Sequence, residues 1–127
     1  MKYLILAYGE ESKMASLTKD DIDGIIRDTS QYDEELKQTG HHLWGMSLGW
    51  GSTILRLRDG KLTITDGPYA ATKEVVGGVV LIEARDLNEA IQVASLHPAA
   101  RMGEQWGWGI ELRPIEEAPL CKEQPSA

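Results

Sequence analysis

The sequence predicts an α+β fold: a ferredoxin-like split βαβ unit with an inserted β-hairpin, pairing as a dimeric α/β barrel. First, segments with strand and helix periodicity follow the order strand, helix, strand, hairpin, strand, helix, strand. Second, 127 residues suit one domain, taken as residues 1–117, with residues 118–127 as a short, polar, flexible tail. Third, two strands carry large apolar side chains that two helices on one sheet face cannot cover, so a homodimer is expected on the other face.

The first strand and the first helix have clear local signals. Residues 2–8 are apolar on both faces, which is typical of a strand covered on both sides. Thr18 and Asp21 have capping-box spacing, and Gly40 suits a left-handed helix end, so we expect a helix over residues 19–39. Helical spacing predicts one buried stripe, made of Ile22, Ile25, Ile26, Thr29, Tyr32 and Leu36.

The second strand, predicted over residues 43–50, alternates large and small side chains. Its large face carries Trp44, Met46, Leu48 and Trp50, and its small face carries Gly45, Ser47 and Gly49. Because glycine is a poor strand former, the small face indicates either a close approach by another backbone or space for a ligand. If the small face meets the helices, the large face lies open to a partner.

The remaining segments are a hairpin over residues 53–58 and 61–66, a strand over 78–84 and a strand over 106–112. Asp59-Gly60 between two alternating segments is a strong hairpin signal. Asp86 is a suitable N-cap for a second helix, which should end near Pro98. The last strand alternates too, and its predicted open face carries Trp106, Trp108, Ile110 and Leu112.

Composition excludes several classes of protein. With 20 acidic and 13 basic residues, the chain lacks the basic excess that a direct nucleic-acid binder needs. Its apolar runs fall short of the ~20 residues of a membrane span, and its start lacks the features of a signal peptide. Cys121 is the single cysteine, which excludes an internal disulfide and a thiolate zinc cage. We expect a cytoplasmic protein with no membrane contact, no metal and no cofactor.

A series of short segments resembles a known family. They are Asp66-Gly67-Pro68-Tyr69, Thr72-Lys73-Glu74, Gly77-Gly78, Leu81-Ile82-Glu83, Asp86-Leu87-Asn88-Glu89-Ala90, His97-Pro98-Ala99-Ala100 and Glu111-Leu112-Arg113-Pro114. With the opening KYLILAYGEE, they resemble the YCII-related superfamily in its DGPF subgroup, with Tyr69 in the place of Phe. The resemblance runs to Glu117, and its most specific part is the DGPF-to-TKE run.

This resemblance implies a ferredoxin-like chain that pairs into a dimeric α/β barrel. Some YCII-type relatives act as small enzymes on aromatic breakdown products, and other DGPF-type relatives are companions of extracytoplasmic-function sigma factors. An acid/base pair proposed for the family combines a His in the first helix with an Asp before a Pro after the second helix. Here His97-Pro98 stands in place of Asp-Pro and the first helix has no His, so that chemistry does not transfer directly.

Three residues are candidate catalytic groups, and each has a structural alternative. His97 either caps a helix end or acts as an acid/base at a cavity, because histidine titrates near neutrality. Asp66 either bonds its own backbone in a turn or faces a ligand. Glu83 is an acid/base candidate if its side chain points inward, and strand-end exposure is the alternative.

Four further residues are candidate ligand contacts. Gly45 and Ser47 would leave space for a ligand, and His42 would face the same cavity. Lys73 would reach an anion or a carbonyl, unless it forms a solvated helical pair with Glu74. The four tryptophans serve either core and interface packing or the stacking of a flat ligand.

Two functions from different classes remain open. The first is a small-molecule-binding protein with acid/base activity of a lyase, isomerase or hydrolase-like type on a small aromatic or carbonyl compound. The second is a non-catalytic regulatory or ligand-binding companion of a sigma factor. The sequence does not decide whether the protein is an enzyme.

Overall fold

A computed structural model describes residues 1–70 and 72–116, so the predicted tail 118–127 lies outside the described residues. The strands are β1 (Lys2–Glu10), β2 (His42–Ser47), β3 (Thr53–Arg58), β4 (Lys61–Asp66), β5 (Glu74–Glu83) and β6 (Gly109–Pro114). The helices are α1 (Glu11–Met14), α2 (Lys19–Gln38) and α3 (Leu87–Ala94), with short 3-10 turns at Pro98–Ala100 and Glu104–Trp106. This element order confirms the predicted α+β class.

Four strands form one antiparallel sheet in the order β2-β5-β1-β6. The two strands at the centre are β5 and β1, which are joined by the longest run of pairs, from Lys2 opposite Glu83 to Glu10 opposite Glu74. β3 and β4 form a separate two-stranded sheet. The arrangement is compatible with a ferredoxin-like unit in which a hairpin has been inserted between β2 and β5.

The core lies between one sheet face and the two longer helices. It combines Tyr3 and Ile5 of β1, Val80 and Ile82 of β5, Leu36 of α2, and Ala84, Ala90, Val93 and Ala94 in and beside α3. The Asp86 side chain accepts a hydrogen bond from the N–H of Glu89 at 2.9 Å, which is the predicted cap of α3. Both helices therefore cover the same sheet face.

The predicted start and end of α2 are confirmed. The Thr18 hydroxyl accepts from the N–H of Asp21 at 3.1 Å, and the Asp21 carboxylate accepts from the N–H of Thr18 at 3.0 Å. Gly40 follows the helix with a φ of 81°. The predicted buried stripe is wrong for the first half of the helix, where Ile22 is 43% and Ile26 is 56% exposed. Leu36, near the end of α2, is the residue of this helix that is buried in the core, so the apolar side chains of the first half gain little cover from it.

The opposite sheet face carries an apolar surface, here called the open face, made of Leu4, Leu6, Trp44, Met46, Val79 and Leu81. Trp44 is 47% and Met46 is 69% exposed. The prediction that Trp106, Trp108, Ile110 and Leu112 also lie on this face is wrong: Trp106 lies in a 3-10 turn and Trp108 precedes β6. Leu112 lies opposite Ile5 in the sheet, so both side chains of β6 pack against the core instead.

The Asp59-Gly60 hairpin is confirmed. Both turn residues have positive φ, 50° and 77°, as a two-residue turn of this kind requires. The hairpin is here called the arm and comprises Thr53–Asp66. A membrane-spanning helix is absent from residues 1–70 and 72–116, since none there is long and apolar enough.

Candidate functional site

An open pocket with a volume of ≈ 380 Å³, here called the sheet–helix pocket, lies between α2 and the core-side face of the sheet. Its walls include one row of α2, the small face of β2, parts of β1 and β5, the turn that begins at His97, and the indoles of Trp50 and Trp108. Its size falls within the range of small-molecule sites.

The α2 wall is a row of side chains spaced four residues apart, Ile25, Thr29, Asp33 and Lys37. Residues at this spacing lie one above the other on a helix. Sequence reasoning missed Asp33 and Lys37 because it followed the apolar stripe towards Leu36. The signal was present, since counting on by four from Ile25 reaches both.

His97 is 8% exposed and lines this pocket. Its Nδ1 accepts a hydrogen bond from the N–H of Ala99 at 3.0 Å, so His97 is the N-cap of the following turn. A ring nitrogen that accepts is unprotonated, which leaves the proton of the neutral ring on Nε2. Nε2 has no hydrogen-bond partner within the described residues, where no side-chain nitrogen is both buried and unpaired. The Nε2–H is therefore open to the pocket.

Burial lowers the pKa of His97 to about 4. A charged imidazolium loses its hydration when it is buried, and here no carboxylate compensates for that loss. At pH 7 the ring is therefore neutral. A neutral ring in this tautomer is a hydrogen-bond donor at Nε2 and a poor proton acceptor.

Asp33 is the carboxyl group of the pocket. Burial raises its pKa above the ordinary value, while electrostatic interactions with Lys37 and His42 act in the opposite direction. A raised pKa makes a carboxylate a better proton acceptor. Asp33, with its raised pKa, is therefore suited to accept a proton, whereas His97 stays neutral and donates a hydrogen bond.

Two indoles close one end of the pocket because glycines leave room for them. A Cβ added at Gly9 would lie 3.1 Å from Trp108 Cδ1 and 3.6 Å from Trp50 Cη2, and one at Gly77 would lie 3.3 Å from Trp50 Cη2. The Trp108 Nε1–H donates to Met14 Sδ at 3.3 Å, which holds the ring in place. These rings give the pocket a flat apolar wall.

The small face of β2 forms the floor of the pocket, with Gly45 and Ser47. A Cβ at Gly45 would meet Val80 Cγ2 at 3.0 Å and the Val79 carbonyl oxygen at 3.2 Å. A close approach by β5 thus accounts for the glycine at position 45. His42 also lines the pocket, whereas His41 Nδ1 donates to the Glu83 carbonyl at 2.7 Å.

Three candidate residues lie outside the pocket. Asp66 ends the arm, Lys73 precedes β5, Glu83 ends β5, and all three side chains are exposed. The arm forms its own sheet, so Asp66 is not brought to His97 by strand pairing. Within residues 1–70 and 72–116, no three His, Cys, Asp or Glu side chains are grouped closely enough to hold a metal ion.

Two relatives show what the chain is similar to. An uncharacterised protein of Rhizobium meliloti is 29% identical over 96 residues, covering 74% of this chain and 77% of the relative. The sn-glycerol-3-phosphate import ATP-binding protein of Burkholderia ambifaria is 33% identical over 69 residues, covering 54% of this chain. The match spans only 19% of the length of that second relative.

A family model gives a broader match. The model of the YCII-related domain matches residues 1–115, which include the strands and helices of the described residues and the whole sheet–helix pocket. The chain therefore belongs to the YCII-related family, whose function is uncharacterised.

Proposed function

We propose that this chain binds a small planar compound with a carbonyl or carboxyl oxygen in the sheet–helix pocket and transfers a proton on it. The observation that carries the proposal is that Asp33 and His97 line the same pocket, with their pKa values shifted in opposite directions. Trp50 and Trp108 support it, because flat apolar rings suit a planar ligand.

In this proposal Asp33 is the proton acceptor and His97 is the donor to the ligand oxygen. The C–H bond beside the carbonyl breaks, the proton goes to Asp33, and the electron pair moves onto the carbonyl oxygen. The Nε2–H of His97 then donates to that developing oxyanion. This assignment differs from the sequence expectation of His97 as a base, because a pKa of about 4 makes the ring a weak one.

The low pKa of His97 also favours a second candidate function, ligand binding without turnover. A neutral donor and an aromatic wall are sufficient for binding alone. A regulatory role beside a sigma factor would be of this kind and stays a prediction implied by the family resemblance.

We also propose that the chain is a homodimer through the open face. Trp44 and Met46 support this, because large apolar side chains exposed together on a sheet face indicate a partner. The central strands contribute Leu4, Leu6, Val79 and Leu81 to the same surface. A sheet-to-sheet contact of this kind would form the α/β barrel.

A screen of planar carbonyl and carboxylate compounds tests the binding proposal. We expect ligands that raise the melting temperature of the wild-type protein and lose at least tenfold in affinity with His97→Asn. Glu83→Gln is the matched control, since it neutralises an exposed carboxylate outside the pocket and should bind as the wild type does. Equal losses in both variants would contradict the proposal.

Solvent exchange tests the proton transfer without knowledge of the product. In D2O, a bound ligand should exchange the hydrogen beside its carbonyl for deuterium, and Asp33→Asn should abolish that exchange while retaining binding. Exchange that persists in Asp33→Asn would remove Asp33 from the proposed role. Binding with no exchange in the wild-type protein would establish the second candidate.

A further inference from the structure

The Arg101 side chain joins the turn that begins at His97 to helix α2. Its guanidinium donates a hydrogen bond to the Glu35 carboxylate, and its Cζ lies 4.1 Å from the centre of the Tyr32 ring. Tyr32 and Glu35 are three residues apart on α2, so they are neighbours on the surface of the helix. This contact is here called the latch and comprises Arg101, Tyr32 and Glu35.

The latch is better shielded from water than an ordinary surface ion pair. The Arg101 side chain is 29% exposed, whereas that of Arg85, which also pairs with carboxylates, is 76% exposed. An exposed ion pair contributes little, because water screens it and long side chains must be ordered to form it. In the latch the guanidinium lies over an aromatic ring as well as beside a carboxylate, which favours a single arrangement. The latch is therefore suited to hold two elements together.

Arg101 and His97 stand at the two ends of one hydrogen-bonded turn. The N–H of Ala100 donates to the His97 carbonyl, and the N–H of Arg101 donates to the Pro98 carbonyl, each at 3.0 Å. The N–H of Ala99 donates to His97 Nδ1, also at 3.0 Å. A turn closed by these bonds moves as one unit, so a contact that Arg101 makes also positions the His97 ring.

The α2 side of the latch adjoins Asp33. Asp33 lies between Tyr32 and Glu35 in the sequence, and it lines the sheet–helix pocket as His97 does. Leu36 anchors the end of this helix in the core, but the first half of the helix gains little cover there. The latch therefore ties together two walls of the pocket, one with Asp33 and one with His97.

We propose that Arg101 is a positioning residue, which holds the His97 turn against α2 and so sets the separation of His97 and Asp33 across the sheet–helix pocket. In the described part of the chain Arg101 is not among the residues that line this pocket, so it acts through the turn. Its part in proton transfer rests on the proposed function, which needs a donor and an acceptor held in one geometry. The latch itself is tested without a ligand, so the two proposals can fail separately.

The pKa of His97 reports whether the turn stays in place. Burial holds this pKa at about 4, so a turn that moves away from α2 would hydrate the ring and raise the pKa. Glu35→Gln is the informative variant, because the loss of a negative charge would by itself lower the pKa of a histidine. The other titratable groups of the pocket, Asp33, Lys37 and His42, stay unchanged in it. A rise in the pKa therefore reports movement of the turn.

NMR titration of the histidine ring signals in the ligand-free protein measures this pKa. The wild-type His97 ring should stay neutral down to about pH 5, since its pKa is about 4. In Glu35→Gln we expect the pKa to rise by about 1 or more towards its ordinary value. Tyr32→Leu removes the ring contact with no change of charge and should also raise it. Glu34→Gln is the matched control, because it removes the same charge from a neighbouring exposed position outside the latch and should raise nothing.

Urea denaturation of the same variants separates positioning from a purely structural role. Glu35 is 47% exposed, so its replacement should leave the chain folded. A lower free energy of unfolding in Glu35→Gln with an unchanged pKa of His97 would overturn the proposal. A fall in that pKa, as the change of charge alone predicts, would overturn it too. Neither result bears on ligand binding, which the compound screen and the exchange experiment decide.

Discussion

The His97 side chain makes one contact with the turn at Nδ1 and leaves Nε2 open to the pocket, and two variants separate these roles. His97→Ala should lower the free energy of unfolding by about 2 kcal/mol, because the buried N–H of Ala99 loses its acceptor. His97→Asn should recover most of this loss, since Asn is a good N-cap. Urea denaturation checks both values. Equal stability of the two variants would show that the cap contributes nothing.

The buried His97 should also make stability depend on pH. Its pKa is about 4 when folded and about 6.5 when unfolded. Between these values the unfolded chain binds a proton that the folded chain does not, so stability falls as the pH falls through this window. The loss is at most ~1.4 kcal/mol per pH unit.

Asp33 acts in the opposite direction, because its raised pKa lets the folded chain gain a proton first as the pH falls. The matched comparison is therefore His97→Asn, which keeps Asp33 in place. Urea denaturation at pH 6.5 and pH 4.5 should show a larger loss of stability in the wild type than in His97→Asn. Equal losses would mean that His97 is not buried in its neutral form.

Residue identity was only partly sufficient to predict the site. His97, His42, Gly45 and Ser47 were singled out from the sequence, and all four line the pocket. Asp33 was missed because the apolar stripe was followed towards Leu36, and the spacing of four from Ile25 does not by itself single out one of the seven acidic residues of the helix. Its raised pKa arises from burial, which depends on how far α2 stands from the sheet.

Among the elements, α2 depends on its N-terminal cap because most of its length gains little from the core. Thr18→Ala should lower the free energy of unfolding by about 1 kcal/mol, through loss of the capping box. Ser30→Ala is the control at an exposed position inside the same helix. Thermal or urea unfolding measures both, and an equal effect of the two substitutions would contradict the role of the cap.

Local signals predicted where helices begin and where the hairpin turns, but they did not predict which side chains of these elements are buried. The capping box of Thr18 and the Asp59-Gly60 turn depend on a few neighbouring residues, and both are confirmed. The burial of Ile22 and Ile26 depends on whether the sheet reaches that half of the helix. Periodicity reports an apolar stripe, but it does not report how much of that stripe reaches the core.

For the whole molecule, the open face predicts how the chain assembles. Trp44→Glu with Met46→Glu should convert a dimer into a monomer near 14.1 kDa, because a buried apolar interface does not accept unpaired charges. Light scattering measures the mass. Leu55→Glu on the arm is the comparison, and it should weaken the dimer less. An unchanged dimer in the double variant would contradict the open-face interface.

The last strand shows that the sequence does not predict which face of the sheet an alternating strand turns towards the core. Alternation correctly grouped Ile110 with Leu112, but it did not say which sheet face the pair joins. Pairing with β1 sets that choice by placing Leu112 opposite Ile5. Pairing register is a long-range property, so a single strand does not determine it.

The central claim is that the sheet–helix pocket is the functional site. Its most direct test is the indole region of a proton–nitrogen NMR spectrum, recorded while a compound from the screen is added and assigned with Trp-to-Phe variants. The indole signals of Trp50 and Trp108 should shift with one shared binding curve, whereas Trp44 on the open face should stay unchanged. A shift of Trp44 without shifts of Trp50 and Trp108 would place binding on the open face and contradict the claim.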